Sequence, residues 1–277
     1  MPNADAHMHL FAEGFGGVSG ASPAGGDETV VYEQLRRYHG IERSLVLGYE
    51  GESRYAGNSD FVLAQAQTRT WIAPLAYLPV SPAPAPLTLR ALHERGALGF
   101  ALYPANPSEG RALSEWPVGA FAEVRRQRAI VSINAAPETT AQMARIGEDL
   151  DGCTVLFSHL GSPRRFPRPP RHETARAHIA PLLALAACSN VHVKFSGLYA
   201  VSAPDHDFPH DAAKPFVDVA LEAFGPSRLL WGSDFPPALD FVSFPQLADS
   251  RLLTGCTPAE IEAVMGGNLL RILDAPA

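Results

Sequence analysis

Long apolar runs, an excess of basic charge and a cysteine framework are all missing from this 277-residue chain. No stretch approaches the ~18 consecutive apolar residues that a membrane span needs. The opening MPNADAHMHL also lacks the basic-then-apolar order of an export signal, so a cytoplasmic location is expected. With 29 acidic against 22 basic side chains and a formal net charge of −7, nothing here would attract a polyphosphate or an anionic bilayer. Nucleic-acid and membrane partners are therefore excluded, and a small-molecule substrate is expected. Cys153, Cys188 and Cys256 are odd in number, far apart and without CxxC spacing, which rules out a disulfide scaffold and a thiolate zinc site. Linkers and long internal repeats are absent too, so residues 1–277 read as one domain, with a monomer or homodimer as the expected assembly.

What the chain does have is 46% hydrophobic residues, enough for a large core, arranged in short runs rich in β-branched and aromatic residues. Eight such runs occur: residues 4–11, 43–50, 70–80, 96–104, 129–136, 154–161, 190–199 and 228–236. Segments with helical spacing lie between them at 28–40, 59–69, 86–96, 118–128, 138–150, 180–189 and 214–225, and a last one covers 258–273. Alternating strands and helices in that number predict a (β/α)₈ TIM barrel. Two insertions break the rhythm, a Gly-rich one at 13–28 after the first strand and an Arg-rich one at 161–173 after the sixth. Loops after barrel strands overhang the catalytic mouth, so both are read as substrate lids, with plain disorder the alternative for the first.

Candidate chemistry sits at the ends of these runs. Alternate residues of a strand share a face, so Asp5, His7 and His9 are expected to point the same way, and the two imidazoles could chelate one divalent ion. HxH pairs also arise by accident; the place of this one at the end of the first strand singles it out. Asp234, in RLLWGSDFP, would be brought beside strand one by barrel closure. There it could ligate that ion or take a proton from attacking water, the plainer alternative being a helix cap before Pro236. His159 closes TVLFSHLG and is read as a second active-site residue or as a core histidine satisfied by a carbonyl. Lys194 and Ser196 share a strand face, and a buried lysine needs an anion or a hydrogen-bonding shell. Glu50, Tyr103, Asn134 and Arg164 complete the candidate substrate contacts, Arg164 because its loop could fork onto a carboxylate. His206 and His210, in a polar loop rich in aspartate, are assigned no metal.

These residues lie in DAHMH (5–9), SHLGSP (158–163), NVHVKFSGLY (190–199), WGSDFP (231–236) and GNLLRIL (267–273). In that order and spacing the chain resembles the amidohydrolase-related family over nearly its whole length. The branch it is similar to contains 2-pyrone-4,6-dicarboxylate lactonase and sugar-lactone hydrolases. The resemblance implies that His7 and His9 match the family's HxH, that His159 matches the active-site histidine of HLG, and that Asp234 matches the general base of GSD. It further implies a reaction in which the aspartate activates water while a metal, or His and Arg donors, polarise the carbonyl.

The chain also departs from the family pattern. Asn134 stands where metal-binding decarboxylase relatives carry a histidine, strand four offers no lysine for a carbamylated bridge, and GFALYP lacks an arginine after GF. A binuclear centre is not expected; one divalent ion, zinc first, or none at all is. The expected activity is a hydrolase opening the lactone of a small compound, carboxylated or not, with Asp234 activating water. A metal-dependent decarboxylase and a non-catalytic binding barrel are the alternatives left open.

Overall fold

The structure, a computed structural model, describes residues 2–275. Its centre is an eight-stranded parallel sheet in strict sequence order: β1 (Ala4–Met8), β2 (Arg43–Leu47), β3 (Ile72–Tyr77), β4 (Gly99–Leu102), β5 (Ile130–Ile133), β6 (Thr154–Phe157), β7 (Val191–Phe195) and β8 (Leu229–Trp231). Every strand coincides with one of the eight apolar runs. Both faces are covered, which is why the runs read as nearly continuous rather than alternating. Leu45, Leu75, Ala101, Leu156 and Leu230 fill the barrel interior. The other set, including Val46, Phe100, Val131, Val193 and Trp231, packs beneath the helices.

Closure of the ring is partial. β1 and β8 meet at their C-terminal ends, where the His9 amide donates to the Phe235 carbonyl (2.7 Å) and the Asp234 amide to the His7 carbonyl (2.7 Å). At the opposite end the C-terminal segment plugs the floor: Asn268 donates its amide to the Leu229 carbonyl (2.6 Å), and Leu269 packs among the interior leucines.

Helices α1 (Glu28–His39), α2 (Asn58–Thr68), α3 (Pro86–Glu94), α4 (Pro107–Ser114) and α5 (Val118–Arg126) surround the first half of the barrel. The ends of α1 follow its sequence: Asp27 accepts from the Val30 amide at the N-cap, and Gly40 takes a left-handed conformation at the C-cap. Helix α4 is an addition that the spacing did not announce, started by Asn106 as N-cap and Pro107. The helix expected over 138–150 is broken into short turns at Pro137–Thr140, Ala141–Met143 and Ile146–Asp149. The one expected over 258–273 is interrupted by a π-turn at Ala263–Gly267. Among the described residues, no helix is long and apolar enough to cross a membrane.

Candidate active site

The site begins with an irregularity in β1. Asp5 pairs with Ser44, but Met8 pairs with Val46, so β1 fits one extra residue between those points. A bulge of one residue reverses which face each later side chain takes. Asp5 therefore does not share a face with His7 and His9, contrary to the period-two expectation. It turns toward α1 and β8, fully buried, and accepts from the His7 and Ser233 amides (3.0 and 2.9 Å) and the Tyr32 and Ser233 hydroxyls (2.7 and 2.5 Å). Asp5 is thus a brace that ties β1 to β8 and fixes the backbone of His7. Past the bulge, His7 and His9 turn inward. Gly232 leaves the space for them, because a Cβ there would lie 2.6 Å from the Cβ of His7.

Asp234 and His159 arrive on strained backbone. Both are non-glycine residues at positive φ (57° and 52°), a conformation costing on the order of 1–2 kcal/mol that packed surroundings must impose. Asp234 Oδ2 accepts from the Tyr199 hydroxyl at 2.6 Å, while Oδ1 faces His7 Nε2 at 3.5 Å. His159 Nε2 lies 3.9 Å from Oδ2, its Nδ1 is 3.0 Å from Ser196 Oγ, and its ring sits against that of His7 (centroids 4.5 Å). Gly197, at φ 63°, passes so close to the His159 ring that a Cβ would come within 2.4 Å of Nδ1.

Burial dominates the electrostatics. It pushes Asp234 up to about 6, with His9, Tyr199 and Lys194 pulling the other way. It lowers His159 to about 3 and His9 to about 4, and holds His7 well below the usual imidazole range. All three rings are neutral at pH 7, the state in which imidazole can bind a cation. Lys194, completely buried, is lowered to about 7. It has the hydrogen-bonding shell a buried lysine requires: Nζ donates to Ser132 Oγ (2.7 Å) and lies 3.0 Å from His7 Nδ1.

His7 Nε2 is buried without a hydrogen-bond partner among the described residues, a costly arrangement unless something fills it. One ligand atom each from His7, His9 and Asp234 lies within 4.8 Å of the others. Two ligands 2.0–2.1 Å from a tetrahedral ion stand about 3.3–3.4 Å apart, close to the observed 3.5 Å between His7 and Asp234. His9 is oriented for the same duty, with Nδ1 2.9 Å from the Leu47 carbonyl and Nε2 left as the available lone pair. These residues fit a single divalent ion.

Above the cluster opens a cavity of about 280 Å³. Of the residues singled out from sequence, His7, His9, Tyr103, Asn134, His159 and Asp234 line it; Lys194 and Ser196 stand behind the imidazoles. The structure does not bring Glu50 or Arg164 there. The Glu50 carboxylate is taken by the Ser59 and Gly57 amides at the start of α2 (2.8 and 3.3 Å), and Arg164 is a solvent-exposed partner of Glu138. Asn134 accepts from the Ser162 hydroxyl (2.9 Å), so no third imidazole comes from β5.

Sequence reasoning passed over Tyr199, Tyr49, Phe11 and Phe15, all of which line the cavity. Tyr199 had a usable signal, its place just beyond β7 within the SGLY segment. Phe15 comes from the Gly-rich insertion, which is an ordered strap. Glu28 accepts from the Phe11 and Phe15 amides, the Gly16 amide donates to the Tyr55 hydroxyl (3.0 Å), and the Val18 amide donates to Asp240 (3.0 Å).

Known proteins share this architecture. An L-fucono-1,5-lactonase of Burkholderia multivorans is 34% identical over 141 residues, a match covering 46% of this chain and only 45% of that relative. A zinc-bound amidohydrolase structure from Burkholderia multivorans superposes with a TM-score of 0.73 at 21% identity, over the whole of both chains. A structure named as a probable 2-pyrone-4,6-dicarboxylic acid hydrolase from Acinetobacter baumannii, with citric acid bound, gives 0.72 at 14% identity over 98% of each chain. At such identities the superpositions establish the barrel fold. The profile of the family described as Amidohydrolase matches residues 4–275, nearly the full length, and the chain belongs to that family.

Proposed function

We propose that this protein is a lactonase that opens the cyclic ester of a small, uncharged compound. The observation carrying the reading is Asp234: a buried carboxylate with one oxygen held by Tyr199 near the His159 imidazole and the other facing the His7 imidazole, at the base of the cavity. A base raised toward neutrality by burial suits the activation of water. The L-fucono-1,5-lactonase relative supports the same class. Arginine and lysine are absent from the cavity lining, which favours an uncharged substrate over a carboxylated one.

Asp234 takes a proton from a water molecule as its oxygen attacks the ester carbonyl, giving a tetrahedral oxyanion. Ser196 Oγ lies 3.0 Å from Nδ1, and in the tautomer with the proton on Nε2 His159 would donate a hydrogen bond to that oxyanion without itself becoming charged. Collapse breaks the bond to the ring oxygen, which leaves with the proton held by Asp234, and the product is a hydroxy acid. A divalent ion on His7, His9 and Asp234 would polarise the carbonyl in addition.

The test is a pH-indicator assay of neutral 1,5-lactones with the parent and Asp234→Asn. A general base contributes roughly 10²–10⁴-fold, so the variant should lose about 10³-fold in kcat. Failure of the parent to turn over any lactone, or an undiminished variant, would overturn the reading.

A further inference from the structure

Resting on that lactonase reading, we infer that the site has a second compartment which receives a neutral, hydroxylated extension of the substrate's ring. A separate cavity of about 160 Å³ lies between the loops after β3 and β4, walled by Tyr77, Pro79, Ser81, Tyr103 and Glu109. Tyr103 lines this chamber and the main cavity alike, so the two are neighbours on either side of its ring. The Tyr103 hydroxyl is buried and has no hydrogen-bond partner among the described residues. That leaves an unmet polar group beside the junction, which a small turn of the ring would present to a ligand hydroxyl.

The chamber is built rather than incidental. Glu109 belongs to α4, the helix added between β4 and α5, where its two oxygens accept from the Ala105 amide (2.9 Å) and the Asn106 side-chain amide (3.0 Å). Each oxygen is thereby held in place with lone-pair capacity left over for a ligand hydroxyl. The opposite wall is stiffened by prolines at 79, 82, 84 and 86 and anchored by the Trp116 indole, which donates to the Val80 carbonyl at 2.8 Å. A preformed wall lowers the ordering cost of binding.

Size and chemistry select the occupant. The main cavity, about 280 Å³, is the larger of the two and has room for a small ring. The chamber, about 160 Å³, is little more than half that size and suits a short side chain rather than a second ring. Its polar walls are hydroxyls and a carboxylate, with no arginine or lysine, so it suits a two- or three-carbon polyol chain and opposes an anionic one.

The experiment compares two 1,5-lactones with identical ring hydroxyls, one bare and one bearing a hydroxylated chain of two or three carbons. The parent should favour the extended lactone at least tenfold in kcat/KM, mainly through KM. Tyr77→Trp, which fills the chamber, and Tyr103→Phe, which removes the waiting hydroxyl, should each cut that preference at least fivefold. Equal turnover of the two by the parent, or variants that lower both lactones alike, would overturn the compartment. If the parent hydrolyses neither, the lactonase reading falls, and calorimetric titration of the same pair decides the compartment separately. Tenfold tighter binding of the extended molecule retains it; equal or absent binding overturns it.

Discussion

The two halves of the barrel do different work. β1 and β5–β8 supply nearly every group capable of proton transfer or coordination: His7, His9, Ser132, His159, Lys194 and Asp234. β2–β4 present hydrocarbon inside, in Leu45, Leu47, Ala73, Leu75 and Ala101, and carry tyrosines beyond their ends at Tyr49 and Tyr103. One half is held by buried hydrogen bonds and tolerates strain, and the other offers shape. Substitutions should divide accordingly, with loss of kcat on the first side and of KM on the second.

The strongest challenge to that division is Lys194→Met. Methionine fills similar space but leaves His7 Nδ1 and Ser132 without their shared partner. Removing the group that orients an active imidazole typically costs ~10–100-fold, so kcat should fall in that range; a loss under threefold would show that Lys194 only fills space. Stability supplies an independent readout. Folding lowers the Lys194 pKa to about 7, so between that value and the ~10.4 of an unfolded lysine the unfolded chain binds more protons. Stability of the parent relative to Lys194→Met should therefore rise as pH increases through this window. A flat difference in urea midpoints from pH 7 to 9 would contradict the burial of a titrating amine.

A smaller effect is expected from acid. Asp234, raised to about 6, is a carboxylate above that pH and protonated below it, so kcat/KM of metal-free protein should decline about tenfold per unit below pH 6. An acid limb that stays flat down to pH 4.5 would remove Asp234 from the role of base.

The division between halves also explains what could be read in advance. All eight strands were legible because a parallel strand covered on both sides must be apolar along its length. His7, His9, His159 and Asp234 stood out because polar residues closing such runs have no place in a core. The bulge in β1 was invisible, since a period-two pattern carries no information about the partner strand's register, and it is the reason Asp5 braces β8 instead of joining the imidazoles. Glu50 and Arg164 look like ligand groups in sequence, but a carboxylate beside free helix amides and an arginine beside Glu138 find nearer partners. Tyr199 and Phe15 owe their positions to a turn and a strap, whose paths depend on contacts with Asp234, Tyr55 and Glu28 that lie far apart in the chain or arise only on folding.

The mildest expected change lies on the shape-bearing half. Tyr49 follows β2 and turns its ring into the cavity, edge-on to Tyr103 (centroids 5.0 Å, 73°) and near His9 (6.5 Å). Its hydroxyl has no role in the proton path, and its ring offers a stacking surface worth about 0.5–1.5 kcal/mol to a bound ring. Tyr49→Ala should thus raise KM roughly two- to tenfold, with the change in kcat the smaller of the two, as initial rates across a range of lactone concentrations would show. A loss confined to kcat would mean that the tyrosine side helps hold His9 and Asp234 in register, and the separation of chemistry from shape would then fail at the seam where β1 meets β2.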